Sequence, residues 1–520
     1  MSEVLAGIGV LAAAAAAAAA ILLPAGRARS AAMLAALVLF PALILGDQWH
    51  SHQIADLRDD STRLTALALL ALAISAALAV AFHRWPILLP LAIVAALPFR
   101  VPLHAGGDTA NLLVPLYLVI AGGVLATAIR TWSSRRGNSR VGDVGVGGPR
   151  TDVSLRPPAG PPSPTSGPAR QFPIVWLPRV LAAVVVLYGL QALYSPDFSK
   201  SLQNACFFLV PFSLVFALLR DVEWDRRLLV GVLWVIGLEA LVFVAIGTVE
   251  YATRSLFWND QVIRSNEFHT YFRVNSVFWD PNVYGRWLAL AIVVAMAALL
   301  WARERRAQAL LTALVAVLWL GLAPTFSQSS FIALLAGLAV LAALRWSLRW
   351  TLAAVGAGAV AAVLVVLLAG GSSVSVSRIN IDTSGRANLV SGGLHLFAQR
   401  PVYGYGSGSF PRAYREHVDT NDVPVSISHT EPITIAAEQG VFGLAAYVAL
   451  LIVALWTMGS GLFTRPPPPA GIAARAAVLA AFIALLVHTM AYAGFFEDPI
   501  AWVLMAAGLS LASAPVRDGP

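Results

Sequence analysis

Cysteine is nearly absent from this chain: Cys206 stands alone, inside an apolar run. That count excludes an intrachain disulfide and a cysteine-based metal site. Charge is also scarce, with Asp, Glu, Lys and Arg only 12% of the 520 residues, against about 25% in a soluble domain. None of the nine histidines belongs to a His-Glu-x-x-His run or a close ligand cluster, so no zinc site and no metal is expected. No Gly-Lys-Ser/Thr phosphate loop occurs either.

What fills the chain is apolar. Hydrophobic residues make up 58% and the mean hydropathy is +0.75, more than a water-facing domain can hide in one core. The apolar stretches are continuous over roughly 17–25 residues, the length that crosses a bilayer as a helix. A barrel would alternate instead. About fifteen such runs centre near residues 13, 38, 73, 92, 119, 186, 210, 238, 293, 316, 336, 360, 446, 482 and 506. The expected fold class is therefore all-α, a polytopic transmembrane bundle. The run from Val4 to Leu23 lacks a basic flank and reads as a spanning helix, not a cleaved signal. The run near residue 92 is crowded by Pro86, Pro90 and Pro98.

The formal charge of +8 and pI near 10.0 do not point to nucleic acid, because the arginines sit mainly between apolar runs. One set of alternate connections holds Arg27 and Arg29, Arg84, the Arg130 to Arg179 segment, Arg226 and Arg227, Arg303 to Arg306, Arg345 and Arg349, then Arg465 and Arg475. The other set holds Asp47 to Asp60, Asp108, Asp197, Glu497 and Asp498. By the positive-inside rule the N-terminus lies outside and the C-terminus in the cytoplasm. Three divisions follow: N-terminal spans over 1–130, a Pro/Gly/Ser/Arg-rich cytoplasmic linker over 131–172 expected to be disordered, and a membrane core over 173–515. Two long extracytoplasmic loops are expected in that core, at 250–282 and, partly helical, at 370–432.

Those loops hold the arginines that topology does not explain: Arg254, Arg264 and Arg273 in the first, Arg378, Arg386, Arg400, Arg412 and Arg415 in the second. Cations gathered beside the outer leaflet suit an anionic head group, and guanidinium grips phosphate through parallel hydrogen bonds. Arg273 precedes Asp280-Pro281-Asn282, a turn that opens the next helix and that Asp280 and Asn282 can simply cap. Ser327 lies in a small polar turn between two spans, where serines equally cap a helix. Gly404, Gly406 and Gly408 alternate after Arg400; their exposed N–H groups can form an anion nest or an ordinary turn. His429, at a membrane face after this loop, has the acid constant to take a proton from a hydroxyl or to serve structurally.

Taken in order, these elements resemble the O-antigen ligase and polymerase family, over roughly residues 175–515. The resemblance rests on Arg273 before Ser276-x-Phe278-x-x-Pro281-Asn282, then the Ser327 turn. Arg386 follows, then Pro401-x-x-Gly404-x-Gly406-x-Gly408-x-Phe410, and last His429 with Glu438 nine and Gly440 eleven residues on. Gln328 stands where the family often has arginine, and Thr430 where asparagine is usual. The resemblance implies a core of about twelve spans with about three more before it. It also implies transfer of a glycan from an undecaprenyl-diphosphate carrier to a hydroxyl on glycan, lipid or protein, without cofactor, in the bacterial cytoplasmic membrane. In that scheme His429 is catalytic, Arg273, Arg386, Arg400, Gly404 and Gly406 bind the donor, and Asn282, Ser327 and Glu438 support them. A ligase and a polymerase share these parts; a transporter would instead show ionisable residues within spans.

Overall fold

The computed structural model describes residues 3–49, 60–105, 108–138, 168–257, 259–268, 271–369, 386–418, 427–463 and 471–513. Helices dominate, as the apolar runs require. The N-terminal group is α1 (Glu3–Leu22), α2 (Arg27–Gln48), α3 (Ser61–Arg84), α4 (Leu88–Ala96) and α5 (Val114–Asn138). Next come α6 (Pro168–Ala192) and α7, which joins Phe198–Asn204 to Val210–Leu219 through a π-helical turn at Ala205–Leu209. The following group is α8 (Arg226–Thr253), α9 (Asp260–Phe268), α10 (Pro281–Trp301), α11 (Arg305–Leu322), α12 (Gln328–Arg345) and α13 (Leu348–Ala369). The chain ends with α14 (Arg386–Gln399), α15 (Phe410–His417), α16 (Glu431–Gly459), α17 (Ile472–Thr489) and α18 (Pro499–Ser513).

Among the described residues, twelve helices are long and apolar enough to cross a membrane. The difference from about fifteen lies in α4, α13 and α18. Leu348–Val360 is the stretch of the 22-residue α13 whose side chains are described, and Pro499–Ser513 is apolar but shorter. Helix α4 has nine residues, about 14 Å at 1.5 Å each, half of a hydrocarbon core of about 30 Å. Pro86 and Pro98 bracket it, and a proline cannot donate to the next helical turn. Beyond α4 comes the one departure from all-α structure among the described residues, an antiparallel hairpin pairing β1 (Val101–Ala105) with β2 (Asp108–Leu112), Val101 opposite Leu112.

Helices α5 and α6 run into the ends of the 131–172 linker, and its middle, 139–167, lies outside the described residues. Within 250–282, α8 continues to Thr253 and α9 fills part of the stretch. Within 370–432 lie the helices α14 and α15, while 370–385 and 419–426 lie outside the described residues.

Lipid supplies no hydrophobic drive between helices, so close packing holds them. Helices α10, α12 and α17 meet at Gly337, where an added Cβ would stand 2.6 Å from Val293 Cγ2 and 3.3 Å from the Ala480 carbonyl. Near one end of the same trio, a Cβ on Gly285 would stand 2.7 Å from Ser330 Oγ. The polar turns at that end form the site.

Candidate functional site

The turn before α10 is built from α8. Glu250, fully buried, accepts the N–H groups of Asn275 at 3.1 Å and Ser276 at 2.7 Å. Ser276 sits at φ 51 and its hydroxyl donates to the Phe243 carbonyl at 2.9 Å. Asp280 then caps α10, accepting from the Asn282 N–H at 2.6 Å. Capping thus falls to Asp280 alone, and the Asn282 side chain is left for another task.

That task is to join two motifs. Arg273 donates from Nε to the Thr325 carbonyl at 2.9 Å and from Nη2 to Asn282 Oδ1 at 3.2 Å. The same oxygen accepts the Ser327 hydroxyl at 2.9 Å. Ser327 is the N-cap of α12, so it serves the helix and the network together. Ser329 extends the network to α17, its Oγ 3.2 Å from Nε2 of the fully buried His488. Thr325 O and Asn282 Oδ1 together fix the direction of the guanidinium.

The glycine loop forms a second unit. Helix α16 breaks at Gly440 (φ 63), and a break leaves backbone groups without helical partners. The loop supplies them. Tyr405 N donates to the Ala437 carbonyl at 3.1 Å, Gly406 N to the Glu438 carbonyl at 2.7 Å, and Val441 N to the Pro401 carbonyl at 2.8 Å. The Glu438 carboxylate accepts from Gly408 N at 2.9 Å and Phe410 N at 3.0 Å. Of the expected anion nest, the Gly408 amide therefore meets the Glu438 carboxylate, while Gly406 N and Gly404 N bond backbone carbonyls, the latter that of Arg400 at 3.1 Å. Glycine is required because an added Cβ on Gly404 would lie 2.3 Å from the Glu438 carbonyl, and on Gly406 2.5 Å from Ser195 Cα.

His429 lies between the two units, just before α16, in the left-handed region at φ 61. Its carbonyl accepts from Ala493 N at 3.2 Å. Thr430 Oγ1 donates to the Met490 carbonyl at 3.1 Å, and Glu431 accepts from Gly494 N at 2.6 Å and Phe495 N at 3.1 Å. The turn after α17 therefore holds the His429 segment while His488, at the end of that helix, holds the Arg273 network. Beside it is a cavity whose lining includes Tyr188, Lys200, Glu431, Glu438 and Glu497. Burial raises the Glu497 carboxyl above its ordinary range, with Lys200 and Arg100 pulling it back.

The structure thus brings Arg273, Asn282 and Ser327 together, joins Gly404 and Gly406 to Glu438, and places His429 between. Arg400 stands apart, exposed, with its guanidinium over the Tyr405 ring at 4.4 Å. Arg386 begins α14, and its side chain lies outside the described residues. Sequence reading missed His488 and the buried Arg286–Asp498 pair at 2.8 Å. The pair spans two helices with no shared motif, so only the Asp498 charge beside a span hinted at it. Among the described residues no group of three or more His, Cys, Asp or Glu is placed to hold a metal ion.

Comparison with protein families matches residues 313–448 to a model described as O-antigen ligase. The stretch holds Ser327, the glycine loop, His429 and Glu438; Arg273 and Asn282 precede it. Comparison with curated proteins gives no match. This is a multi-pass membrane protein with an O-antigen ligase domain over part of its length.

Proposed function

We propose that this chain is a membrane glycosyltransferase that moves a glycan from a polyprenyl-diphosphate carrier, undecaprenyl diphosphate, to an acceptor hydroxyl. The observation that carries the reading is the shared C-terminal end of α17 with the turn that follows it. Through it an arginine oriented by neutral oxygens and a histidine held by its backbone belong to one assembly, part of it in an O-antigen ligase domain.

In this reading the acceptor oxygen attacks the anomeric carbon as the bond from that carbon to the diphosphate oxygen breaks, inverting the centre. The electron pair leaves with the diphosphate. Arg273, with Arg386, meets the charge that develops there, an electrostatic term set in place before reaction. The hydroxyl proton passes to the His429 imidazole, a base suited to neutral pH. Asn282 and Ser327 hold Arg273 in line. Gly404, Gly406 and Glu438 fix the loop that leads to His429, and Arg400 stands at its exposed edge for the donor's outer part.

The site is assigned to the extracytoplasmic face, with the N-terminus outside and the C-terminus in the cytoplasm. The alternation of arginine-rich and acidic connections supports this. Helix α4 fits the same parity. Leu91 rests on Gly231 and Phe99 on Phe243, ring centroids 5.8 Å apart, so this segment climbs α8 by twelve residues, about 18 Å.

The test is the glycan profile of a deletion strain complemented with wild type or His429→Ala. Carrier-linked polymer accumulating without its final acceptor marks a ligase, and single-repeat products mark a polymerase. Wild-type glycans from the Ala variant refute the role given to His429.

A further inference from the structure

Arg100 lies outside every motif considered so far and outside residues 313–448. It follows α4 directly and precedes β1. Its position is fixed by its neighbour: Phe99 packs edge-on against Phe243, ring centroids 5.8 Å apart. The carbonyl of that same Phe243 accepts the Ser276 hydroxyl at 2.9 Å and the Tyr284 hydroxyl at 3.1 Å. Phe99 is therefore anchored on the residue that also anchors the Arg273 turn and the first turn of α10. Arg100 comes one residue later.

Other arginines at this end of the bundle are engaged. Arg286 pairs with Asp498 at 2.8 Å. Arg254 stacks on Tyr251 and Phe272, at 4.4 and 5.4 Å from the ring centroids, and Arg400 stacks on Tyr405. Arg100 is half-buried, and its side chain makes no hydrogen bond or ion pair with any residue whose side chain is described. A partly desolvated guanidinium gains when an anion comes within hydrogen-bonding reach. The field of Arg100 also reaches the turn that holds His429. It pulls down the pKa of Tyr492 and of Glu497, which burial otherwise raises.

We propose that Arg100 is a further arginine of the donor site, contacting the diphosphate of the lipid-linked glycan beside Arg273. This rests on the glycan-transfer reading above and extends it, because it assigns part of the donor site to the segment between α4 and β1. A diphosphate offers oxygens on two phosphorus atoms, more than one oriented guanidinium can satisfy. Arg100 supplies donors from the α4 side, while Asn282 fixes Arg273 on the α10 side.

The experiment measures binding of sugar-free undecaprenyl diphosphate to the full chain in nanodiscs, with undecaprenol as the uncharged control. Wild type, Arg100→Ala, Arg100→Lys and Arg273→Ala are compared. Arg100→Ala should weaken diphosphate binding about tenfold, leave undecaprenol binding unchanged, and be partly restored by Arg100→Lys. Wild-type diphosphate affinity in Arg100→Ala, with Arg273→Ala weakened, removes Arg100 from the site and leaves the donor reading standing. Wild-type affinity in both alanine variants overturns both. An equal loss of undecaprenol and diphosphate binding in Arg100→Ala also overturns the proposal, since it marks a packing role.

Discussion

Arg273 and Ser327, on different turns, donate to one atom: Asn282 Oδ1 takes Nη2 at 3.2 Å and the hydroxyl at 2.9 Å. The carboxamide oxygen is the hinge pin between the turn before α10 and the cap of α12. Replacing it should release Arg273 without touching its charge.

Asn282→Ala is therefore expected to lower transfer on the order of 10–100-fold, the usual cost of misplacing a positioned group. Arg273→Lys should lose a similar amount, because lysine cannot reach Thr325 and Asn282 in the same fork. Single-turnover transfer in proteoliposomes measures both. Full activity in Asn282→Ala would show that Arg273 needs no such partner.

His429 sits at φ 61, where glycine is at ease and any side chain, even the better tolerated asparagine or histidine, carries some strain. Substituting glycine or asparagine should keep or raise stability, by about 1 kcal/mol for glycine, and abolish transfer. Thermal unfolding and turnover on the same samples separate backbone strain from imidazole chemistry. An active glycine variant removes the imidazole from the mechanism.

The loop on α16 predicts a contrast between glycines. Gly406→Ala would place a Cβ 2.5 Å from Ser195 Cα at φ +98, and should cost about 3 kcal/mol or more. Gly358→Ala, on α13, meets nothing within 4 Å and should stabilise by about 0.5–1 kcal/mol. Melting temperatures in one detergent decide between them; equal shifts would mean that the loop is not pinned to Ser195.

Glu438→Gln tests the same clamp chemically. One oxygen becomes an NH2 group and can no longer accept from Gly408 or Phe410, which leaves a buried amide unpaired at about 1–3 kcal/mol. Hydrogen exchange at Gly408 and Phe410 should accelerate. Unchanged exchange would argue that other acceptors hold the loop.

Glu497 sets a pH dependence. Its folded value is raised from 4.5 by burial, so the folded state holds its proton more tightly than the unfolded chain. The stability it contributes is complete below the ordinary carboxyl value and is lost as pH rises through the raised one. Melting temperature followed from roughly pH 4 to pH 7 should fall less in Glu497→Gln than in wild type. Identical slopes would assign the dependence elsewhere.

Much of this was legible in the sequence where the cause is local. Helix-length apolar runs gave the bundle, and Asp280 and Ser327 announced their caps. Span length failed at α4, because hydropathy counts apolar residues while Pro86 and Pro98 end the helix around them. The glycine cluster was legible as a place where backbones meet. Which anion it faces was not, since Glu438 reaches it only after α16 breaks at Gly440. The link from Ser329 to His488 and the pairing of Arg286 with Asp498 depend on how α10, α12 and α17 pack, and no short window of sequence contains that.

The brevity of α4 bears on how the chain enters the membrane. Nine residues cannot hold a transmembrane position alone, and the surfaces that seat them, Gly231 and Phe243 on α8, are synthesised more than a hundred residues later. Leu89 also meets Gly123 on α5, so the segment from Leu88 to Leu112 can enter with α5 and completes its seat only when α8 emerges. Arg100 reaches its place late in biogenesis, so an interruption of synthesis before α8 leaves the N-terminal helices inserted but the site unassembled.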